Sequence, residues 1–291
     1  MMAINDLFQN VSEFRQYVPG ISANLEFSEL NSSAISARKQ IRNIIKKDLW
    51  DKIKGESETD AHGYLCNAFG NLIMHKSIIF NVVSRRTASD SGDVYKYEYE
   101  SMQRQYIDNY YNAMDSLIEE LSENEDYSEL WKATPEYKLL DTLEIKKTSE
   151  FNSYYGIDMS FLFFFRTIPL QREILIDGLS DLFVKVGNSD ANSDLVEKLK
   201  LALSHLVVAL ALSRFDIIEL PATIRSLFDE QKSSRSGSDE QNRLLRLAAE
   251  LRDNATAIIF GIELALSEPD NSNVVSDTSL NNPEDKIYLI S

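Results

Sequence analysis

The motif Ser12-Glu13-Phe14-x-x-Tyr17 recurs later in the chain as Ser149-Glu150-Phe151-x-x-Tyr154. Further matches keep the same order in both halves: Ile41 with Ile174, Asp48-Leu49-Trp50 with Asp181-Leu182-Phe183, residues 68–73 with 202–207, residues 89–93 with 234–238, and Asn112-Ala113 with Asn254-Ala255. The offset between matched positions drifts only from about 133 to 145 residues. Self-similarity at a long, nearly fixed period is the signature of repeated structural units. The sequence therefore predicts a tandem duplication.

Each predicted copy is rich in apolar residues at the spacing of amphipathic helices. In the first copy, Ile41, Ile45 and Leu49 fall on one helix face, with Ser32 or Ser33 as a candidate N-cap. The pattern predicts three long helices in each copy, near residues 32–54, 60–85 and 97–123 and near residues 169–186, 194–214 and 240–267. Shorter helical segments are expected near 135–147 and 216–229.

These patterns together predict an all-α fold with short extended segments. The predicted organisation is a first helical repeat at 1–125, a linking helical segment at 126–147, a second repeat at 148–268 and an extended C-terminal arm at 269–291.

The composition argues against several functional classes. The formal net charge is −16 at pH 7, whereas proteins that bind duplex DNA use basic side chains to neutralise phosphates. Cys66 is the only cysteine, so neither an intrachain disulfide nor a cysteine zinc cluster can form. The N-terminal residues lack the pattern of a signal peptide, and no stretch is apolar enough to predict a membrane span. We expect synthesis in the cytoplasm and no membrane partner.

Motifs that carry chemistry are missing from the sequence. It contains no phosphate-binding loop, no dinucleotide fingerprint and no nucleophile elbow. His62, His75 and His205 share no short motif with metal-ligand spacing. We therefore expect a protein that is not an enzyme, with no catalytic residues, no cofactor and no metal.

Two groups of residues are candidates for contacts with other proteins. The aromatic residues Phe161, Phe163 and Phe164 either form core or dock on a partner, because large exposed apolar patches mark interfaces. Arg38, Arg42 and Lys46 make the first long helix locally basic. That basic face is either solvated or pairs with the acidic flank of an identical neighbour, a heterologous contact that builds rings.

The C-terminus is a third candidate. Ile287, Tyr288, Leu289 and Ile290 form an apolar, β-prone end to a polar tail, and residues 271–283 fit a flexible tether. This end is either a closing strand of the same chain or a detachable strand that adds to a partner.

The ordered motifs resemble those of structural proteins from phages and prophages of Bacteroidetes, including crAss-like phages, and in particular head–tail connector (adaptor) proteins. The resemblance rests on Ser-Glu-Phe-x-x-Tyr, a helix ending in Asp-Leu-Trp-x-Lys-Ile, an apolar helix, a Ser/Gly-rich loop and a long helix with Asn-Ala. It covers most of the chain, in two copies, whereas simple connectors have one helical unit.

The resemblance implies a helical virion protein in the neck or tail region, made in the host cytoplasm. Such a protein would form a ring of identical subunits, about twelve by analogy with connectors. Its partners would be the portal protein, reached by terminal arms, and other neck or tail proteins. DNA would be only a passing cargo, and an acidic channel would repel its phosphates. The alternative function is a cytosolic helical scaffold that binds a partner protein.

Overall fold

The computed structural model describes residues 2–21, 25–87, 96–187, 193–229 and 237–267. Every regular element in these ranges is a helix, and no strand occurs within them. The predicted all-α class is confirmed. The arm predicted at 269–291 lies outside the described residues, as does the matched loop pair at 89–93 and 234–236.

The first half begins with a short 3₁₀ helix and a short α-helix, which precede three long helices. Its elements are the 3₁₀ helix Ala3–Asp6, α1 (Val11–Tyr17), α2 (Phe27–Gly55), α3 (Asp60–Thr87) and α4 (Lys96–Glu123), followed by α5 (Glu125–Lys132) and α6 (Pro135–Leu139). α3 packs against both α2 and α4.

The second half starts with the same kinds of element. They are the 3₁₀ helix Leu140–Thr142, α7 (Thr148–Tyr154), α8 (Phe161–Ile174), a π-helical turn Leu175–Leu179, α9 (Ser180–Gly187), α10 (Ser193–Arg214), a 3₁₀ turn Ile217–Glu219, α11 (Ala222–Asp229) and α12 (Gly237–Ser267). α10 is central here, because it packs against α8, α9 and α12.

Several helix boundaries differ from the prediction. α2 begins at Phe27 rather than at Ser32, because the buried stripe extends back to Leu30. α8 begins at Phe161, where the side chain of Ser160 accepts a hydrogen bond from the Phe163 backbone N–H (3.2 Å). The segment at 135–147 was predicted helical throughout, but regular helix ends there at residue 142.

The buried hydrophobic side chains form two clusters. The first draws on residues 3–131 together with Leu162, and the second on residues 140–262. The division along the chain falls between Trp131 and Leu140, inside the predicted linking segment at 126–147. The domain boundaries and the duplication themselves stay predictions.

Several local features of the two halves correspond. In α1 the Glu13 carboxylate accepts from the Gln9 N–H (2.6 Å), and in α7 the Glu150 carboxylate accepts from the Lys146 N–H (3.2 Å). Each of these glutamates thereby satisfies a backbone donor at the start of its helix. The phenylalanine after each glutamate is fully buried. These correspondences are those expected of a duplication.

Candidate interaction surfaces

The side of α4 that faces away from α3 is called its outer side here. The second half of the chain covers part of it. The Asp115 carboxylate oxygen Oδ1 accepts from the Leu162 backbone N–H (2.7 Å) and from the Ser160 hydroxyl (3.1 Å), at the N-terminus of α8. Leu162 is buried and belongs to the first cluster. A carboxylate at this end of a helix meets the positive end of the helix dipole. Burial nevertheless dominates and raises the pKa of Asp115 to about 6.

α5 covers the next turns of the same side of α4. Trp131 is fully buried, and its indole N–H donates to the Ser122 hydroxyl oxygen (3.1 Å). Ile118 lies between Asp115 and Ser122 on the α4 helix, and its side chain is 0% exposed. α4 is therefore buried against α3 on one side and against α5 and α8 on the other.

The corresponding side of α12 is exposed. The Asn112-Ala113 and Asn254-Ala255 match sets an offset of 142 residues, which pairs Ile118 with Phe260 and Ser122 with Leu264. Phe260 is 66% exposed, and Leu245 and Leu264 are also exposed. These three residues, with Ala249 and Ala257, lie on the side of α12 opposite its buried residues, which they share with Asp253. We call the five apolar residues the α12 stripe.

A second exposed apolar pair lies on the π-turn and α9. Ile176 is 73% exposed and Val184 is 64% exposed, eight residues further along the chain. The offset of 133 residues that matches Ile41 with Ile174 places Asn43 and Asp51 at these positions in the first half. Polar surface in one half thus corresponds to apolar surface in the other.

The predicted aromatic site lies mainly in the interior. Phe163 and Phe164 are buried in the second cluster, and Phe161 is partly buried against the first. The structure therefore favours the core alternative for Phe163 and Phe164, because a partner cannot reach rings that other side chains already cover. The Phe161–Phe165 segment forms the first turns of α8 rather than a docking strand or loop.

The predicted basic face is partly engaged within the chain. Arg38 pairs with Asp6 (2.6 Å) and Lys46 pairs with Glu136 (2.6 Å), while Arg42 is half-buried. The guanidinium of Arg38 and the ammonium of Lys54 hold the pKa of Asp6 below its usual range, against the opposing effect of burial. Ile287, Tyr288, Leu289 and Ile290 lie outside the described residues.

The histidines sit in separate local environments. His62 Nδ1 lies 3.0 Å from the Ile53 carbonyl oxygen, and His75 Nδ1 lies 3.1 Å from the Gln103 carbonyl oxygen. Burial lowers the pKa of both His75 and His205. Among the described residues, no group of three or more His, Cys, Asp or Glu side chains is placed to hold a metal ion.

Comparisons with known proteins return no relatives. No protein-family model matches the chain, and no curated protein or solved structure shows significant similarity to it. The described helices include none with the length and apolar character needed to cross a membrane.

Asp115 and the α12 stripe were not identified from the sequence. The only signal for them was the Asn-Ala match, which fixes the register between α4 and α12. Hydrophobicity alone could not distinguish the buried Ile118 from the exposed Phe260, since both side chains are large and apolar and differ only in what covers them.

Proposed function

We propose that this chain is a structural assembly protein that binds identical subunits and other proteins through the second half of the molecule. The observation that carries the proposal is the exposed apolar surface of that half, above all Phe260 and Leu264 on α12. Large apolar side chains that share an exposed helix face commonly mark protein–protein interfaces. Burial of such a face in an assembly removes its apolar area from water and favours association.

The particular role that we propose is a head–tail connector ring, in a virion, between the portal and the tail. Its support is the resemblance of the ordered motifs to connector proteins, together with the net charge of −16. A ring whose inner surface is acidic would let DNA pass without binding it, because like charges repel. The duplicated form would supply two helical units per subunit.

Native mass spectrometry of the purified protein, alone and mixed with candidate portal rings, tests the proposal. We expect a discrete closed oligomer, of about twelve subunits by connector analogy, either alone or only with portal. The same spectra of a Phe260→Asp variant serve as the matched control, because a buried unpaired charge opposes association at that position.

A chain that stays monomeric under both conditions would contradict the ring. A monomer that binds one partner from a bacterial lysate at a fixed ratio would instead favour the cytosolic scaffold.

A further inference from the structure

The two halves of the chain meet along a seam on the outer side of α4. On this seam Asp115 accepts from the Ser160 hydroxyl and from the Leu162 N–H at the start of α8. Trp131 of α5 and Phe165 of α8, whose ring centroids lie 5.0 Å apart, add an aromatic contact near the segment that joins the halves. Parts of one chain that meet through a polar interface move relative to each other unless further contacts hold them. The position of the halves therefore depends on what else crosses the seam.

A short segment after α10 reaches from the second half to this seam, and we call residues 216–227 the strap. It contains the 3₁₀ turn Ile217–Glu219 and most of α11. Leu220 and Ile224 are buried in the second cluster. These two apolar side chains anchor the strap to the second half.

The charged side chains of the strap reach the first half. The Arg225 guanidinium pairs with the Asp108 carboxylate of α4 at 2.6 Å, and the two side chains are 20% and 36% exposed. Burial lowers the pKa of His75 on α3, and Asp216, the first residue of the strap, lies close enough to oppose this effect. The strap thus connects the second half to both α3 and α4.

The strap also holds the start of α8 and the turn before it. Glu219 pairs with Arg166 of α8 (2.8 Å), and both charges lie close enough to Tyr111 of α4 to influence its pKa, which burial raises. Asp158 accepts hydrogen bonds from the Thr223 backbone N–H (2.7 Å) and from the Thr223 hydroxyl. The strap therefore contacts helices on both sides of the seam.

The turn that the strap holds has an unfavourable backbone conformation. Asp158 and Met159 have φ +56° and +54°, in the left-handed region that residues other than glycine avoid. The Asn152 side-chain oxygen accepts from the backbone N–H groups of Ile157 (2.9 Å) and Met159 (3.1 Å). The bonds from Thr223 to Asp158 add a further restraint. Strained residues persist where surrounding contacts impose their conformation, so release of the strap would let this turn relax.

The ion pair of the strap lies far from the segment that joins the halves. Asp108 is about 22 Å along α4 from the last residue of the helix, Glu123, at a rise of about 1.5 Å per residue. α5 and the joining segment follow at that end of α4. A contact at the opposite end resists rotation of the halves with a long lever, whereas the Trp131–Phe165 contact lies close to the pivot.

We propose that the strap, residues 216–227, locks the two halves of the chain together and that the Arg225–Asp108 ion pair is the contact that closes it. When this pair is lost, the strap leaves α4, the bond from Leu162 to Asp115 opens with it, and the halves move about the segment that joins them. Because the pair is partly exposed, salt weakens it, and the lock responds to ionic strength. The lock is a property of the single chain and needs no second copy.

Hydrogen exchange of the full chain, read by mass spectrometry with residue-level fragmentation, tests the lock. The Leu162 N–H is the reporter, because its bond to Asp115 exists only while the halves are in contact. Arg225→Ala removes the closing ion pair. Lys200→Ala is the matched control, since it removes an ion pair of similar length and exposure within the second half, to Glu150 (2.7 Å).

We expect Arg225→Ala to speed exchange of the strap amides and of Leu162 together, by about two- to fivefold, which is the usual effect of losing a partly exposed ion pair. Lys200→Ala should change neither rate. The double variant Asp108→Arg/Arg225→Asp reverses the pair and should restore both rates, whereas Asp108→Arg alone should not. Between about 0.1 M and about 1 M salt, the wild type should show the same joint increase and Arg225→Ala a smaller one.

Three results would overturn the proposal. Faster exchange of the strap with no change at Leu162 would show that the strap is held locally and does not lock the halves. Equal acceleration at Leu162 in Lys200→Ala would indicate a general loss of stability. Wild-type rates at the strap and at Leu162 that do not rise together with salt would contradict the lock without any variant, even if Arg225→Ala failed to fold.

Discussion

In the predicted duplication α4 and α12 are counterparts, yet among the described residues only α4 is buried on two sides. Each packs closely on the apolar helix before it, α4 on α3 and α12 on α10. α4 is then covered by α5 and by the start of α8, whereas among the described residues α12 keeps a bare outer side. The apolar side chain is therefore core at Ile118 and surface at Phe260. The comparison teaches that packing of α5 and α8, rather than the apolar character of the side chains, decides which of the two helix faces is buried among the described residues.

The pair Ile118→Ala and Phe260→Ala should give the largest difference between the halves. Loss of a buried isoleucine side chain removes its packing and leaves a cavity, which costs about 2–5 kcal/mol. Truncation of an exposed side chain should change the free energy of unfolding by no more than about 0.5 kcal/mol in dilute protein. Urea denaturation of both variants checks this prediction. Similar losses of unfolding free energy at the two positions would contradict the difference in burial between Ile118 and Phe260.

Asp115→Ala should be the next most damaging change. It removes the acceptor of two partly buried hydrogen bonds, from Leu162 N–H and Ser160 O–H, and an unsatisfied buried donor costs about 1–3 kcal/mol. Asp115→Asn is the control, since both bonds reach the same oxygen, which the amide retains. Thermal unfolding of both variants would contradict this account if Asn and Ala were equally harmful.

Two residues with positive φ, one in α2 and one in the π-turn that follows α8, allow a matched test. Lys46 has φ +67° and ψ 168° in α2, and Gly178 has φ +120° in the π-turn. Gly178→Ala should destabilise by about 1–2 kcal/mol through backbone strain alone, because an added Cβ meets no atom within 4 Å. Lys46→Gly should cost less than this, because glycine tolerates that conformation and the relief of strain offsets the loss of the Lys46–Glu136 ion pair. Equal effects in denaturant titrations would remove backbone strain as the cause.

The free energy of unfolding should depend on pH through the Asp115 carboxyl group. Its pKa in the folded state is about 6, above the ordinary value of 3.8, so the folded chain binds this proton more tightly than the unfolded chain. The contribution of Asp115 to stability is therefore full below pH 3.8 and falls as pH rises toward 6. The difference between wild type and Asp115→Asn should follow this fall in urea titrations from pH 4 to 7, and a flat difference would contradict it.

The sequence was sufficient for the helical class and for most long helices. The prediction for α3 started at its first residue, Asp60, and that for α12 ended at its last, Ser267, because apolar spacing continues to those ends. The start of α2 was missed because Ser32 and Ser33 resemble an N-cap, although Leu30 already lies on the buried face. Phe163 and Phe164 could not be placed by pattern, since a run of aromatics fits core and interface equally.

Less of the candidate site than of the fold could be predicted from the sequence. Whether α4 or α12 is covered depends on where α5 and α8 lie, and those positions arise from contacts distant along the chain, such as Asp115 with Leu162. For Arg38 and Lys46 the sequence suggested either a solvated face or pairing with an identical neighbour. It did not reveal their partners within the chain, because Asp6 and Glu136 are 32 and 90 residues away.

Sedimentation velocity of the wild-type chain and of Phe260→Asp, over a range of concentrations, tests the assembly surface most directly. We predict that the wild type populates a discrete oligomer and that Phe260→Asp remains a monomer with an unchanged circular dichroism spectrum and Tm. A wild-type chain that is monomeric at every concentration, or a Phe260→Asp chain that assembles as the wild type does, would contradict the claim that α12 is an assembly surface.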